Sequence, residues 1–312
     1  MGSLERHRLA VRARLRRADQ VRARRESVTW KIHRELIVTL GWGRAILLQL
    51  AHPGVAAGVH HHSSFRGSLR ASLRRMRSTV RAMLWLTFGD DEQMLTAAAG
   101  INAIHARVRG AGYSAGDPEL QRWVHATLLD SIPLAYERLV GPLSDAERDR
   151  FCAEAAIIEP LLGVPAGRLP RDAGQLAAYM DETLSGGRIV VTDTSRALAR
   201  AVLYPPRWYL AWPAFRPMQL LAIGTLPPRI REAYGLPWSA RDEGALARWT
   251  SVLRTSRRLL PPFAREWPIS SGRPPRAERL PHGAHPPKVR SSPSRCPKSP
   301  GRAASNGNAP RR

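Results

Sequence analysis

The chain has 312 residues, 43% of them hydrophobic and 6% aromatic, with a formal net charge of +24. That is enough apolar material for one large core. Abundant Ala, Leu and Arg, with little strand-like alternation, exclude a predominantly β protein and favour an all-helical one.

The charge is unevenly placed: residues 1–25 carry +7 and residues 270–312 carry +9, leaving +8 for the middle. Basic flanks on a mildly basic centre indicate tails rather than a nucleic-acid-binding fold, so no specific nucleic acid is expected. The organisation is therefore a basic N-terminal helix or arm (1–25), a helical domain (26–269) and a disordered Pro/Ser/Arg-rich tail (270–312). The basic N-terminus lacks a continuous apolar stretch of the secretory kind, and the most apolar run, 45–59, is too short to span a bilayer. A cytoplasmic protein without a transmembrane segment is expected.

In chain order, residues 4–25 place Arg at helical spacings among Leu, Val and Ala, an exposed basic helix. Residues 30–49 continue as a helix or helix pair, with Gly41 and Gly43 allowing a tight turn. The Gly41-Trp-Gly43 pair lacks the third glycine of a dinucleotide fingerprint, and no strong strand precedes it. Pro53 pushes His52 out of helical geometry, so this helix ends near His52. The small residues Gly54, Ala56, Ala57 and Gly58 permit close approach of a backbone or a flat ligand. His60, His61 and His62 are adjacent and cannot all face one point on regular structure, and a polar helix start falls at Ser63 or Ser64.

Residues 69–88 form a helix with an apolar face of Leu73, Met76, Val80, Met83 and Leu84. Arg75 and Thr79 stand one turn apart on the same side. Asp90 is positioned to cap a helix over 90–110, with Asp91 and Glu92 against the positive end of its dipole. Met94, Ala98, Ile101, His105 and Val108 share one face of it, which puts His105 where an apolar core residue would sit. An inward imidazole is either a hydrogen-bonded core histidine or a ligand to something buried, and this helix alone leaves both open.

A helix over 119–140, apolar on almost every face, belongs at the centre of the bundle and carries a second inward histidine, His125. Ser144-Asp-Ala-Glu147 is a capping box opening a helix through Cys152 to Leu162, closed by Gly163-Val-Pro165. Further helices span 172–184, 192–203, 208–225 and 240–260, separated by Gly186-Gly187, Pro205-Pro206 and Pro227-Pro228, and Pro261-Pro262 ends the last.

The signatures HExxH, GxSxG, SxxK and GxxxxGK[ST] are absent, as are the ExxH pairs of di-iron carboxylate bundles. Cys152 and Cys296 lie far apart, and no CxxCH occurs, so there is neither a disulfide framework nor a covalent c-type haem site. A helical bundle with inward histidines leaves non-covalent haem held by one imidazole as the economical enzymatic option.

Six stretches resemble one known family. VTWKIHRE (28–35), LLQLAHPGVAAGV with HSSF (47–65), TFGDDEQ…IHARVRG (87–110), DPELQRWVHATLLDS (117–131), YERLVGPLSDAER (136–148) and REAYGLPWS (231–239) are similar, in this order, to the latex clearing protein (rubber oxygenase) and mpaB-type oxygenases. The resemblance spans about residues 26–265. It implies an all-helical fold holding haem b through a proximal histidine, and the matching histidine is His105. It further implies that Arg75 and Thr79 line a distal oxygen pocket as catalytic residues. Arg74, Arg77 and Arg107 are candidate partners of the haem propionates, and Arg107 is taken as cofactor-binding. Ser78 stands where the rubber-cleaving pattern has lysine, so the resemblance points to the family chemistry, not to rubber itself. The implied function is a haem-dependent oxidoreductase using dioxygen on a hydrophobic small molecule, including oxidative cleavage of C=C bonds. The alternatives are a haem-binding or redox-sensing protein without turnover, and a non-haem helical interaction protein with basic tails.

Overall fold

A computed structural model describes residues 27–62, 69–204 and 212–271, with side chains of 69–73, 75, 212–214 and 271 excepted. The expected basic arm at 1–25, the tail beyond 271, Ser63 and Ser64, and the start of the 208–225 helix lie outside the described residues.

The described residues are almost entirely helical. Helix α1 (Val28–His33) and a 3₁₀ turn (Leu36–Gly41) lead into α2 (Trp42–Leu50) and α3 (Pro53–His62). Helices α4 (Leu69–Phe88) and α5 (Asp91–His105) form a hairpin, followed by a two-residue antiparallel ladder of β1 (Arg109–Gly110) with β2 (Tyr113–Ser114). Then come α6 (Pro118–Leu139), α7 (Asp145–Ala155), α8 (Ile158–Leu162), α9 (Ala173–Ser185) and α10 (Asp193–Leu203). Helices α11 (Trp212–Gly224), α12 (Pro228–Ala233), α13 (Ala240–Leu259) and α14 (Pro262–Arg265) complete the fold.

Helix starts follow local chemistry. Asp90, Ser144, Thr192 and Ser239 each close a reciprocal capping box, and Asp117 and Asp172 accept from the backbone of their first turns. These bonds satisfy amide groups that a helix cannot pair internally.

Helix α6 is the centre, with Trp123, Ala126, Ile132, Ala135 and Leu139 buried among α2, α9 and α13. Its approach to the 3₁₀ turn is close. A Cβ on Gly41 would lie 2.6 Å from Ala135 Cβ and 2.9 Å from the Ser131 carbonyl oxygen, so only glycine fits that crossing.

The resembling stretches are distant in sequence but packed together. Tyr234 Oη donates to the Leu47 carbonyl at 2.6 Å, and Lys31 Nζ donates to Glu147 at 2.5 Å. Glu35, 1% exposed, takes a two-pronged hydrogen bond from Arg257, which pins the end of α13 against the chain after α1.

Three expectations are corrected. The helix expected over 90–110 stops at His105, because Arg109–Gly110 pairs with Tyr113–Ser114 and Ala115 N–H donates to Val108 O at 2.8 Å. The Tyr113 ring packs so tightly on Gly110 that a Cβ there would lie 2.7 Å from it, and Gly112 turns the chain at φ 77°. Met76, expected on the buried face of α4, is 55% exposed. The helix opened by Ser144 breaks into α7 and α8 after Ala155, and Gly163 at φ 73° ends the second piece as a left-handed cap.

Candidate functional site

Helix α5 delivers His105. Met94 and Ala98 bury against Leu161, Leu162 and Val164, with Ile101 packed alongside. Asn102 Nδ2 donates to the Leu161 carbonyl at 2.9 Å and fixes the last turn against α8. His105 follows three residues later as the final helical residue, half-buried. Its Nδ1 is buried and has no hydrogen-bond partner. A buried polar atom left unsatisfied costs on the order of 1–3 kcal/mol, a condition this nitrogen shares with Gln121 Oε1 and Trp123 Nε1 among others.

Burial lowers the pKa of His105, so the ring is neutral at physiological pH. His125, on α6, is pushed down to about 4, first by burial and then by the nearby His105. The two inward histidines of the sequence are thus neighbours, and burial disfavours the charged form of both.

Thr79 is exposed on α4, and the Arg75 side chain lies outside the described ones. Arg74 and Arg107 are exposed, as is Arg77. Helix α4, which carries Arg74, Arg75, Arg77 and Thr79, packs against α5, and Arg107 follows His105 by two residues. From Gly89, Arg75 lies about 21 Å back along α4 and His105 about 24 Å along α5 at the helical rise, so the two stand at similar heights. Exposed apolar side chains sit at the same level on each arm, Met76 at 55% and Ile104 at 53%.

The small residues of α3 serve neighbouring side chains. A Cβ on Gly58 would meet Val108 at 3.3 Å and Tyr113 at 3.5 Å, and one on Gly54 would meet the His52 ring and Leu120 at 3.4 Å. His52 Nδ1 accepts from Gly54 N–H at 3.1 Å, which accounts for it as a turn residue. Two of the three adjacent histidines meet one group: His61 Nδ1 lies 2.9 Å and His62 Nε2 3.2 Å from the same Tyr113 hydroxyl. Among the described residues no three His, Cys, Asp or Glu side chains gather into a metal-holding group.

Some groups were not singled out by the sequence. His33 is half-buried beside Phe151, with ring centroids 5.8 Å apart, and desolvation pushes its pKa down to about 4. Arg44 is buried at 6% exposure and donates to Asp130, Ser131 and the Thr225 carbonyl. The only signal for Arg44 was a charge inside an apolar run, matched by an acid on the central helix. Cys152 is no nucleophile at neutral pH, since burial, then Asp149 and Asp172, push its thiol up to about 11.

Among the described residues no helix is long and apolar enough to cross a membrane. No solved structure matches the chain. Two curated relatives do: uncharacterized protein Mb2261 of Mycobacterium bovis and uncharacterized protein Rv2237 of Mycobacterium tuberculosis. Each is 31% identical over 225 residues, covering 69% of this chain and 87% of the relative. The profile of the family described as ER-bound oxygenase mpaB/B'/Rubber oxygenase, catalytic domain, matches residues 30–255, which takes in α5, His105 and the central helix α6. The chain belongs to this mpaB/rubber oxygenase family.

Proposed function

We propose that this protein is a haem b-dependent, oxygenase-like oxidoreductase acting on a hydrophobic small molecule, with oxidative cleavage of a C=C bond as its reaction type. The observation that carries the reading is His105: a half-buried imidazole at the end of a pinned helix, with a buried nitrogen that no protein group satisfies. That donor chemistry fits a residue that would hold the haem iron. A coordinating imidazole must be neutral, and burial lowers the pKa of His105, which favours its neutral form.

His125 supports the same environment, because its own neutral state puts no competing positive charge beside His105. When bound, haem would supply the activation of dioxygen, chemistry that no set of protein side chains provides. Arg75 would stabilise negative charge developing at the reacting oxygen, and the Thr79 hydroxyl would donate a hydrogen bond there. Arg107 would neutralise a propionate. The exposed Met76 and Ile104, at the level of His105, offer apolar surface to an incoming lipophilic substrate.

The test is the visible spectrum of protein expressed with haem supplementation, beside His105→Ala, followed by oxygen uptake with lipophilic alkenes. The expected result is a Soret band that shifts or vanishes in the variant, with oxygen consumed by the wild type alone. A colourless, folded wild type that takes up no added haem refutes the proposal. A haem-loaded wild type that consumes no oxygen with any alkene reduces it to a haem-binding protein.

A further inference from the structure

The end of α3 and the β-hairpin link four metal-type donors through three short contacts at the surface. His61 Nδ1 stands 2.9 Å from Tyr113 Oη, His62 Nε2 stands 3.2 Å from the same oxygen, and His62 Nε2 stands 3.3 Å from the Arg109 carbonyl oxygen. Imidazole nitrogens bind zinc at about 2.0–2.1 Å, so ligands around one ion lie about 2.9 Å apart at right angles and about 3.3 Å apart in a tetrahedron. The three observed separations, 2.9–3.3 Å, are of the size of such edges.

The Tyr113 ring is held for this role by the backbone beneath it. A Cβ on Gly110 would lie 2.7 Å from the Tyr113 ring, and one on Gly58 of α3 would lie 3.5 Å from its edge. The phenol oxygen is therefore placed by packing, and the two histidines reach to it. His60 stands outside the set: among the described residues its ring meets that of His61, at 5.4 Å between centroids.

We infer that His61, His62, Tyr113 and the Arg109 carbonyl form a second-site centre for a borderline divalent transition-metal ion of the copper or zinc class, distinct from the His105 site. Two imidazoles and one phenolate suit such ions better than magnesium or calcium, and Cu²⁺ should bind most tightly. As the Oη–metal bond forms, the phenol proton leaves to solvent, and the phenolate offsets part of the ion's charge. The exposed position leaves room for water at the remaining coordination positions. The ion would clamp α3 to the hairpin that begins four residues after His105.

The probe is Cu²⁺, and separately Zn²⁺, added to the purified full chain, read by calorimetry, electron paramagnetic resonance and thermal unfolding. One ion per chain is expected, with nitrogen hyperfine coupling, a phenolate-to-copper charge-transfer band and a raised Tm. His61→Ala, His62→Ala and Tyr113→Phe should each weaken binding at least about tenfold, and Tyr113→Phe should also abolish the charge-transfer band. His60→Ala should change affinity less than about twofold. Absence of binding at micromolar metal overturns the assignment. So does unchanged binding by Tyr113→Phe, or equal losses from all three histidine variants, since either would mean a bare run of surface imidazoles. None of these readouts depends on haem uptake or on His105.

Discussion

His33 offers a sharp test of how burial sets stability in this fold. Its pKa is 6.5 when unperturbed and about 4 in the folded chain, and the cause is desolvation alone. Between those values the unfolded chain holds more protons than the folded one, so stability falls as pH falls. The penalty is absent above about pH 6.5 and saturates below about pH 4 at about 3.4 kcal/mol. At pH 5 it comes to about 2 kcal/mol, because the unfolded imidazole is then about 97% protonated and the folded one about 10%. The ring keeps a rim of accessible surface, which makes these figures ceilings. The perturbation is His33→Phe, which retains a planar ring against Phe151 but cannot take up a proton. Urea unfolding of both proteins at pH 8 and pH 5 gives the loss of stability within each, so any packing difference cancels. The wild type should lose about 2 kcal/mol more than the variant over that range. Equal losses, or a wild type that is more stable at pH 5, would refute the claim that His33 is buried in its neutral form.

Other expectations follow from the same packing. His125→Phe should flatten the acid side of the stability profile in the same direction as His33→Phe, since its folded pKa is also about 4, with urea unfolding at pH 8 and pH 5 as the check. Arg257→Ala leaves Glu35, 1% exposed, as a buried carboxylate without its guanidinium; the expected cost is about 3–5 kcal/mol in denaturant unfolding. A loss below about 1 kcal/mol would mean that solvent reaches Glu35. Gly41→Ala forces a methyl to within 2.6 Å of Ala135 Cβ and 2.9 Å of a helix carbonyl, and should cost about 1–3 kcal/mol in the same assay. An unchanged midpoint would show that the 3₁₀ turn and α6 can separate without loss.

Much of the helical plan was legible because its signals are local. Asp90, Ser144, Thr192 and Ser239 each announce a helix start through a side chain that bonds an amide three residues on, which needs no tertiary partner. The predicted stop before Pro53 and the all-round apolar α6 hold for the same reason. The apolar spacing that aimed His105 inward was also correct as far as Ile101, whose neighbours bury against α8. The failures share a different cause. The hairpin that cuts α5 at His105 depends on Tyr113 lying on Gly110, a contact between residues that periodicity treats as independent. Met76 fits a helical apolar face, yet no described element covers it.

The sequence by itself determined the helical class, most helix boundaries, the family and His105 as the residue to watch, because capping, proline stops, periodicity and ordered motifs are written in neighbouring residues. Only the tertiary structure decided that His105 keeps an unsatisfied buried nitrogen beside His125, and that Glu35 and Arg257 join across 222 positions of chain. Desolvation, and the presence or absence of a partner, are properties of what surrounds a group in space. They arise from segments far apart in sequence, so no local pattern carries them.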